Sequence, residues 1–514
     1  MTTTEELQST NVLTRGRRWL ALAVLSAALV VISMDMTILN VALPHLTADI
    51  EATAAQQLWI VDVYSLVLAG LLVPMSAVAD RFGRKRILLI GFSIFALASA
   101  LVAFADSAPM VIAIRALLGI GGAMIMPTTL SMIRVVFTDP KERATALGIW
   151  AAVSSVGMAV GPVVGGVLLE YATWHAAFVI NIPLMIIALI AGIFLLPEFR
   201  ASTPPRWDTL GALASLAGMV ALIWGIKKFA DHGFADGLAW ASFTIGAAAL
   251  AWFILRCLRQ DNPMLDLRLF RSRPFTAGII AACTFMFAMG ALLLLAAQWL
   301  QVVNGFSPLQ AGIAMLPAVL AAGVASPLAP VLAARLGARG VIGGGLAIAG
   351  LGFLVIFLAP APITYGWMLA ATIMLGAGGA SLAIGSALIM SGTPQDKAGN
   401  AAALEETSYE LGSVLGVAIL GSVASAVYSL GVSDQAIERL GLTPTVTDAA
   451  RESISGAAAV AESANVPELM TIANEAFNTA LADTGLVGFI LMIIAAITVT
   501  VLVPRGYDIT RAHH

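Results

Sequence analysis

Five carboxylates lie inside long apolar stretches of this sequence. Asp35 and Asp62 are each the only charged residue in a run of more than 20, and Glu405, Glu406 and Glu410 share a third run. A charge at bilayer depth costs at least about 2.5–3.5 kcal/mol. Such residues persist only where they face a wet cavity, find a partner or carry a proton. The pattern therefore indicates a membrane protein with titratable acids and favours proton-coupled transport.

The composition excludes an ordinary soluble domain. Of the 514 residues, 59% are hydrophobic and 11% are charged, with a mean hydropathy of +0.93, whereas soluble domains carry about 25% charged residues. Apolar runs recur along the whole chain, which indicates a polytopic helical membrane protein. Cys257 and Cys283 are poorly placed for a disulfide or a metal site, and no removable signal peptide is expected in Met1–Arg18.

Fourteen membrane spans are predicted from the apolar runs. They lie at about residues 19–45, 56–79, 87–106, 109–133, 143–170, 176–197, 209–229, 238–258, 275–301, 309–333, 341–360, 366–390, 400–427 and 481–503. With a cytoplasmic N-terminus, 22 of the 27 Lys and Arg residues fall in inner segments, and Lys227, Lys228, Arg439 and Arg451 fall in outer ones. Because positive charge favours the cytoplasmic side, we expect a plasma-membrane protein with an even number of spans and both termini inside.

Two loops of related sequence indicate an internal repeat. SAVADRFGRKR follows span 2, and the weaker echo VLAARLGARG, with Gly337, follows span 10. In the first loop Asp80 can cap a helix or pair with a basic residue such as Arg84, and Gly83 permits a tight turn. If the two loops correspond, spans 1–6 match spans 9–14, as in many secondary transporters.

The repeat predicts the organisation of the chain. Residues 1–198 would form a six-helix bundle, and residues 274–514 a second one. Residues 199–273 would contribute the two inserted helices 7 and 8 and a cytoplasmic linker. The outer segment at about 429–480 is rich in Ala and Glu and is predicted to be a helical hairpin. A solvated linker is the alternative.

Span 5 contains the glycine-rich string GMAVGPVVGG. Gly157, Gly161 and Gly165 recur every four residues, next to Pro162 and Gly166. Such a face lets another helix approach closely, and a proline inside a helix invites a bend. Helix packing alone would also account for the glycines, so they leave the function open.

Several strings together resemble those of a known family. DRFGRKR after span 2, Arg115 in IRALLGIGGAMIMP, GMAVGPVVGG, and WHAAFVINIP after it are similar to motifs of the major facilitator superfamily. QQLWIVDVYSLVLAG and KAGNAAALEETSYELG extend the resemblance to its fourteen-span drug:proton antiporters, of the QacA type that exports quaternary ammonium compounds. The resemblance implies an all-α membrane protein with the major facilitator fold, built as two six-helix bundles plus two inserted helices. One departure is Ser76, where the family's loop motif usually has Gly.

The helical rise of about 1.5 Å per residue brings Asp35, Asp62 and Arg115 to one level of the membrane. Two acids and one base leave an unmatched carboxylate, whose protonated form is favoured by burial and by like charge. We expect Asp35 to exchange between Arg115, a proton and a cationic drug, with a static Asp35–Arg115 salt bridge as the alternative. For Asp62 the alternative is local stabilisation of a helix end.

The acids of span 13 form a second group. Glu406 and Glu410 share a helix face, and Glu405 points about 100° away. No Lys or Arg lies on a neighbouring turn of that span, which predicts a cation or protonation site; polar packing is the alternative. The resemblance implies that acids in helices 1 and 13 recognise substrate and proton. It also associates a further acid in span 10 with dications, and Ala322 occupies that place here, so weaker handling of divalent cations is expected.

Lipophilic cations also favour aromatic faces and polarisable sulfur. We expect contacts from residues of these types near the acids, although each could instead be a packing residue. These residues are Met34, Met36, Trp59, Tyr64, Trp150, Met289, Trp299 and Tyr409.

Together these features predict a proton-coupled antiporter that exports lipophilic cationic drugs, dyes and quaternary ammonium antiseptics by alternating access. The alternative is an exporter of an endogenous lipid, peptide or siderophore on the same fold. The sequence contains no GxxxxGK[ST] loop, metal-ligand cluster or evident nucleophile–base pair. We therefore expect no cofactor, no metal and no enzyme activity. The expected partners are lipophilic organic cations, protons and membrane lipid, without nucleic acid, and a monomer is expected.

Overall fold

Long helices make up nearly all of the described structure. The computed structural model describes residues 14–137, 139–200, 208–232, 236–260, 263, 265–393, 397–432 and 444–507, and no strand occurs in these ranges. The helices are α1 (Arg15–Asp49), α2 (Ala54–Phe82), α3 (Arg84–Leu101), α4 (Ala108–Val136), α5 (Pro140–Tyr171), α6 (Ala176–Val179), α7 (Asn181–Leu195), α8 (Thr209–His232), α9 (Gly237–Arg259), α10 (Arg273–Gln298), α11 (Pro308–Phe357), α12 (Tyr365–Ala377), α13 (Gly379–Ser391), α14 (Ala398–Gly431), α15 (Pro444–Glu452), α16 (Ile454–Ser463) and α17 (Glu468–Leu502).

Twelve helical segments of the described chain are long and apolar enough to cross a membrane. The 50-residue helix α11 is one of them, although its backbone leaves the helical region at Gly337. The apolar part of α5, Val156–Tyr171, is shorter. The sequence-based count of fourteen therefore stays a prediction.

The helices pack as two groups. In the first, α1 packs against α5 and α7, α2 against α4, and α3 against α4 and α7. In the second, α10 packs against α13 and α14, α11 against α12, α13 and α17, and α14 against α17. The two groups meet where α5 contacts α11 and where α2 contacts α14. These two contacts frame the region in which the acids lie.

The helices α8 and α9 form a separate pair. Asp208 caps α8 by accepting a hydrogen bond from the Gly211 amide at 3.0 Å. Arg256 of α9 donates two more hydrogen bonds to this carboxylate, at 2.7 and 3.0 Å, which hold the pKa of Asp208 below its ordinary range. Only 17% of the apolar window of α9 is buried, whereas α8 packs against both α2 and α14. The pair thus lies beside the junction of the two groups, with α9 outermost.

The basic loop between α2 and α3 is tightly braced. Gly83 has a φ of +114°, a backbone conformation that favours glycine. Arg84 donates a hydrogen bond at 2.8 Å to Asp80 and another at 3.1 Å to the Ser131 carbonyl in α4. Gly337, in the second loop of related sequence, also has a positive φ of +76°. We call the end of the bundle with the Asp80–Arg86 loop the basic-loop face.

The opposite end, which we call the hairpin face, carries α15 and α16. Ser453 joins these two helices and caps α16 by accepting a hydrogen bond from the Gly456 amide at 3.0 Å. Tyr428 of α14 donates to the Ala450 carbonyl at 3.0 Å, and Gln57 of α2 donates to Ser453 at 3.4 Å. The hairpin therefore contacts both helix groups. Part of the predicted hairpin segment, residues 433–443, lies outside the described residues. The same holds for residues 1–13, Arg206 and Arg511, which were used to predict the orientation.

The braced loop gives a stability prediction. Replacing Gly83 with Ala is expected to reduce the free energy of unfolding by about 1–3 kcal/mol, because a side chain strains a backbone at this φ. Thermal unfolding of the purified protein measures the effect. Gly323→Ala in α11 is the control, since a β-carbon there meets no atom within 4 Å. Equal melting temperatures for Gly83→Ala and the unaltered protein would contradict the prediction.

Candidate functional site

Asp35 lies at the centre of a buried polar network. Its side chain is fully buried in α1. One carboxylate oxygen accepts a hydrogen bond from the Arg115 guanidinium of α4 at 2.9 Å, and the other accepts one from the Asn181 amide of α7 at 2.8 Å. In this conformation both oxygens of the Asp35 carboxyl group therefore have a hydrogen-bond donor.

Arg115 connects this network to α2. It donates hydrogen bonds to the carbonyls of Ile60 at 3.1 Å and Val61 at 3.5 Å, and its guanidinium lies 4.7 Å from the centre of the Tyr64 ring. A helix carbonyl has a second lone pair available for such a donor. Because arginine presents a planar fork of donors, one residue can bind Asp35 and α2 at once.

Asn181 is a site residue that the sequence reasoning missed. It begins α7, inside the string WHAAFVINIP that carried part of the family resemblance. Its neighbour in that string, Trp174, donates to Asp49 at the end of α1 at 2.8 Å. The available signal was an amide within an otherwise apolar run, which a search for charged residues passes over.

Asp62 has a partner that the sequence analysis placed elsewhere. The Lys227 ammonium of α8 lies 2.8 Å from one Asp62 oxygen, with both side chains almost completely buried. The expectation that two acids share a single base is therefore wrong, because the sequence analysis assigned Lys227 to an outer segment and gave it no partner. The reason is that α8 packs against α2, and hydropathy does not reveal which helix a lysine near a span end faces.

The three glutamates of α14 differ in their surroundings. Glu405 is buried and accepts a hydrogen bond from Tyr409 at 2.5 Å. Glu406 is partly buried and has no hydrogen-bond or ion-pair partner within the described part of the chain. Glu410 is buried, interacts with the Ser65 hydroxyl of α2, and is attracted electrostatically by Arg115. Glu410 thus lies where the two helix groups meet, close to the Asp35–Arg115 pair.

Three of the eight predicted aromatic and methionine contacts adjoin charged groups. Tyr64 packs on Arg115, Tyr409 binds Glu405, and the Lys227 ammonium lies 4.5 Å from the centre of the Trp59 ring. The others are core residues: Trp299 is fully buried and donates to Asn478, Met34 is buried, and Met36, Trp150 and Met289 are partly buried. Substrate contact by any of the eight stays a prediction.

The glycine face of α5 divides into two parts. Gly157, Gly161 and Gly165 pack against α1. A β-carbon on Gly157 would crowd Val30 and Ser33, one on Gly161 would crowd Thr37, and one on Gly165 would crowd Ile38. Gly166 instead faces α11, since a β-carbon there would lie 2.5 Å from the Cα of Leu309. A β-carbon on Gly312 of α11 would in turn collide with the Pro162 carbonyl. One motif therefore serves packing inside the first group and the contact between the groups.

The hairpin face is closed in this structure. Besides the α5–α11 contact, Gln301 donates to the Val41 carbonyl of α1 at 3.0 Å. A pocket of about 480 Å³ lies between α1 and α16, beside Pro44 and Ala459. The space between α2, α14 and the hairpin is a cavity of about 50 Å³, lined by residues such as Gln57, Ser425 and Ser453. Drug-binding pockets are typically about 300–1,000 Å³. The cavity holds a few waters and is too small for a drug.

The chain matches known transporters over most of its length. The sequence profile of the Major Facilitator Superfamily matches residues 25–417. The multidrug efflux pump LfrA of Mycolicibacterium smegmatis is 40% identical over 96% of this chain and 97% of its own length. The methyl viologen resistance protein SmvA of Salmonella typhimurium is 40% identical over 81% of this chain and 84% of its own length.

The fold matches a solved transporter structure. A bacterial homolog of the human lysosomal transporter Spinster, crystallised in an inward-facing and unoccupied conformation, superposes with a TM-score of 0.67. The match covers 95% of this chain and 97% of that one at 19% sequence identity. At that identity the similarity concerns the fold alone.

The Asp35 network gives a prediction about removing Arg115 alone or together with the charge of Asp35. Arg115→Met is expected to destabilise the protein by about 3–5 kcal/mol, because it leaves a buried charge without its cation. Asp35→Asn combined with Arg115→Met should cost less than Arg115→Met alone, since the orphaned charge is gone. Thermal unfolding of the three proteins in the same detergent measures this. A double variant less stable than the single one would show that the ion pair does not dominate the network.

Proposed function

The chain belongs to the major facilitator superfamily, and we propose that it is a proton-coupled exporter of lipophilic cationic drugs, dyes and quaternary ammonium antiseptics. Drug export is supported by the similarity to a multidrug efflux pump and a methyl viologen resistance protein. Proton coupling is supported by the acids at the junction of the helix groups. The observation that carries the proposal is Glu406, a partly buried carboxylate without a partner among the described residues.

An acid in this position needs a positive partner. A carboxylate removed from water is stable only if it binds a proton or lies beside a cation. Glu406 and Glu410 lie on one face of α14, and their negative charges repel each other. Ionisation of both carboxyl groups at once is therefore unfavourable. A proton and a lipophilic cation therefore compete for the same acids. That competition is the chemical basis of antiport.

The Asp35–Arg115 pair supplies the coupling in this proposal. Arg115 is bound to Asp35 and interacts electrostatically with Glu410. A proton or drug on Glu410 changes the charge next to Arg115, and so alters the strength of its bond to Asp35. Asp35 would then exchange between Arg115, a proton and the substrate as the two helix groups rock.

Alternating access uses the contacts between the groups. The hairpin face is closed by Gly166 and Gly312 at the α5–α11 contact, and the Asp80–Arg86 loop braces the opposite face. We infer that a substrate enters from the basic-loop face and leaves when the hairpin face opens. Exchange of one proton for one monovalent cation moves no net charge, so only the pH difference drives it, at about 1.4 kcal/mol per unit. A second proton would add about 2.3 kcal/mol per 100 mV of membrane potential.

We also propose fourteen crossings with both termini cytoplasmic. The helix α11 has 50 residues, or about 75 Å at 1.5 Å per residue, which is more than twice the hydrocarbon thickness of about 30 Å. Its bend at Gly337 divides it into two crossings, and α5 adds another to the twelve. The excess of Lys and Arg on the basic-loop face supports a cytoplasmic position for that face. The two bundles at 1–198 and 274–514, the inserted residues 199–273, the outer hairpin near 429–480 and a monomeric state follow as parts of the same proposal.

The first test is drug export by cells. Ethidium efflux is expected to stop when an uncoupler removes the proton gradient, and to fall at least tenfold in Asp35→Asn and in Glu406→Gln, which can no longer exchange a proton. Glu475→Gln alters an exposed glutamate of α17 and is the matched control. Normal efflux by Asp35→Asn or Glu406→Gln would refute the assigned roles. Unchanged susceptibility to cationic drugs on overexpression would favour an endogenous substrate.

The second test concerns closure of the hairpin face. Gly312→Leu is expected to abolish ethidium efflux at normal protein levels, because its side chain cannot fit against the Pro162 carbonyl. Gly323→Leu adds the same group to the same helix at a position with open space, and should keep efflux. Proton-driven efflux by Gly312→Leu at the unaltered rate would exclude this contact from the transport cycle.

A further inference from the structure

Lys227 reaches the junction of the helix groups from outside both of them. The helix α8 packs against α2 and α14 through an apolar cluster that includes Leu66, Met219 and Val414. Leu216 of α8 also approaches Gly70 so closely that a β-carbon there would lie 2.7 Å from it. This packing holds α8 in place, and Lys227 extends from it to Asp62. A buried charge pair is thus built between an inserted helix and α2.

The surroundings of the Lys227 ammonium resemble a binding site for an organic cation. Asp62 provides a carboxylate oxygen at 2.8 Å, and the Trp59 ring centre lies 4.5 Å away on the same face of α2. No other group in the described part of the chain donates to the Asp62 carboxylate. A carboxylate beside an aromatic face is the arrangement that recognises ammonium ligands.

The two buried ion pairs, Asp35–Arg115 and Asp62–Lys227, differ in the head group of the cation. Arg115 binds Asp35 and two α2 carbonyls, and Asn181 covers the other Asp35 oxygen. Lysine is a compact charge on a flexible stem, without the rigid fork of arginine. The single rotatable ammonium of Lys227 can therefore move away from Asp62 more readily than the rigid fork of Arg115 can leave Asp35.

The subsite adjoins the acids of α14. Ser65 follows Asp62 by one helical turn, a rise of about 4.5 Å, and interacts with Glu410. A ligand with two separated positive charges could place one at Glu410 and the other at Asp62. A ligand with one charge needs only Glu410.

We propose that Asp62 and Trp59 form a second cation subsite, for which the tethered ammonium of Lys227 competes with the second charge of a lipophilic dication. This inference rests on the proposed function and deepens it by naming a residue that determines charge selectivity. Because Lys227 is tethered beside the subsite, its effective concentration there is high, and a dication gains little from its second charge. Removal of Lys227 leaves a buried carboxylate beside an aromatic ring, which a dication can fill.

The test measures binding to the purified full-length protein in lipid nanodiscs by calorimetry. The probes are methyl viologen, a dication, and tetraphenylphosphonium, a monocation. Lys227→Ala is expected to lower the Kd of methyl viologen at least tenfold while changing that of tetraphenylphosphonium less than twofold. The gain should vanish when Asp62→Asn is added, since the anion of the subsite is then absent. An unchanged or weaker methyl viologen affinity in Lys227→Ala, or an equal gain for the monocation, would overturn the inference.

Two controls make the result specific. Lys228→Ala removes the adjacent lysine, whose ammonium lies over Trp224 instead, and should bind both probes like the unaltered protein. If Lys227→Ala does not fold, two other variants replace it: Lys227→Met keeps the volume of the side chain, and Lys227→Arg keeps its charge. Lys227→Met must bind methyl viologen more tightly than Lys227→Arg, and equal affinities would overturn the inference. Ethidium efflux separates the two proposals. Suppose that the unaltered protein exports ethidium only with a proton gradient, but Lys227→Ala does not bind methyl viologen more tightly. The proposed subsite is then refuted and the proposed function stands. Ethidium efflux that does not depend on the gradient refutes the proposed function.

Discussion

A carboxylate held at membrane depth must have a positive charge or a proton beside it, and the structure is organised around that constraint. Asp35 meets it through Arg115 and Asn181, which come from α4 and α7. Arg115 also binds two carbonyls of α2. One ion pair thus ties together four helices of the first group. Desolvation of the pair is costly, so its value lies in holding these four helices in one arrangement.

The acids of α14 lack the positive partner that a carboxylate at membrane depth requires. Glu405 has Tyr409 and Glu410 has Ser65, but neither partner is a cation, and Glu406 has none in the described chain. The first group therefore carries compensated charge, and the facing helix of the second carries uncompensated charge. An excess of negative groups at a junction that can open is suited to taking up positive species. A fully paired set of charges would instead lock the junction.

The helix α5 takes part both in packing within the first group and in the contact between the groups. Three of its glycines keep it against α1, whereas Gly166 and the Pro162 carbonyl touch α11. At Gly166 and Gly312 the backbones of α5 and α11 approach each other directly, whereas on the other side the Thr37 and Ile38 side chains of α1 pack on the glycines of α5. The inserted helix α8 adds a second link at the other contact, between α2 and α14.

Hydropathy, helical periodicity and backbone chemistry are local, and they allowed the sequence to determine that the chain is an all-helical membrane protein, which acids are unusual, and where the glycine turn at Gly83 lies. The spacing of Glu406 and Glu410 likewise predicted a shared helix face. The sequence also brought Asp35 and Arg115 to one level, but only the tertiary structure decided the partner of Asp62 and the second donor to Asp35. Lys227 pairs with Asp62, and Asn181 completes the Asp35 site, because α8 and α7 pack against particular helices. Such pairings depend on how separate helices are rotated and arranged, and nothing in the spacing of residues along one chain encodes that.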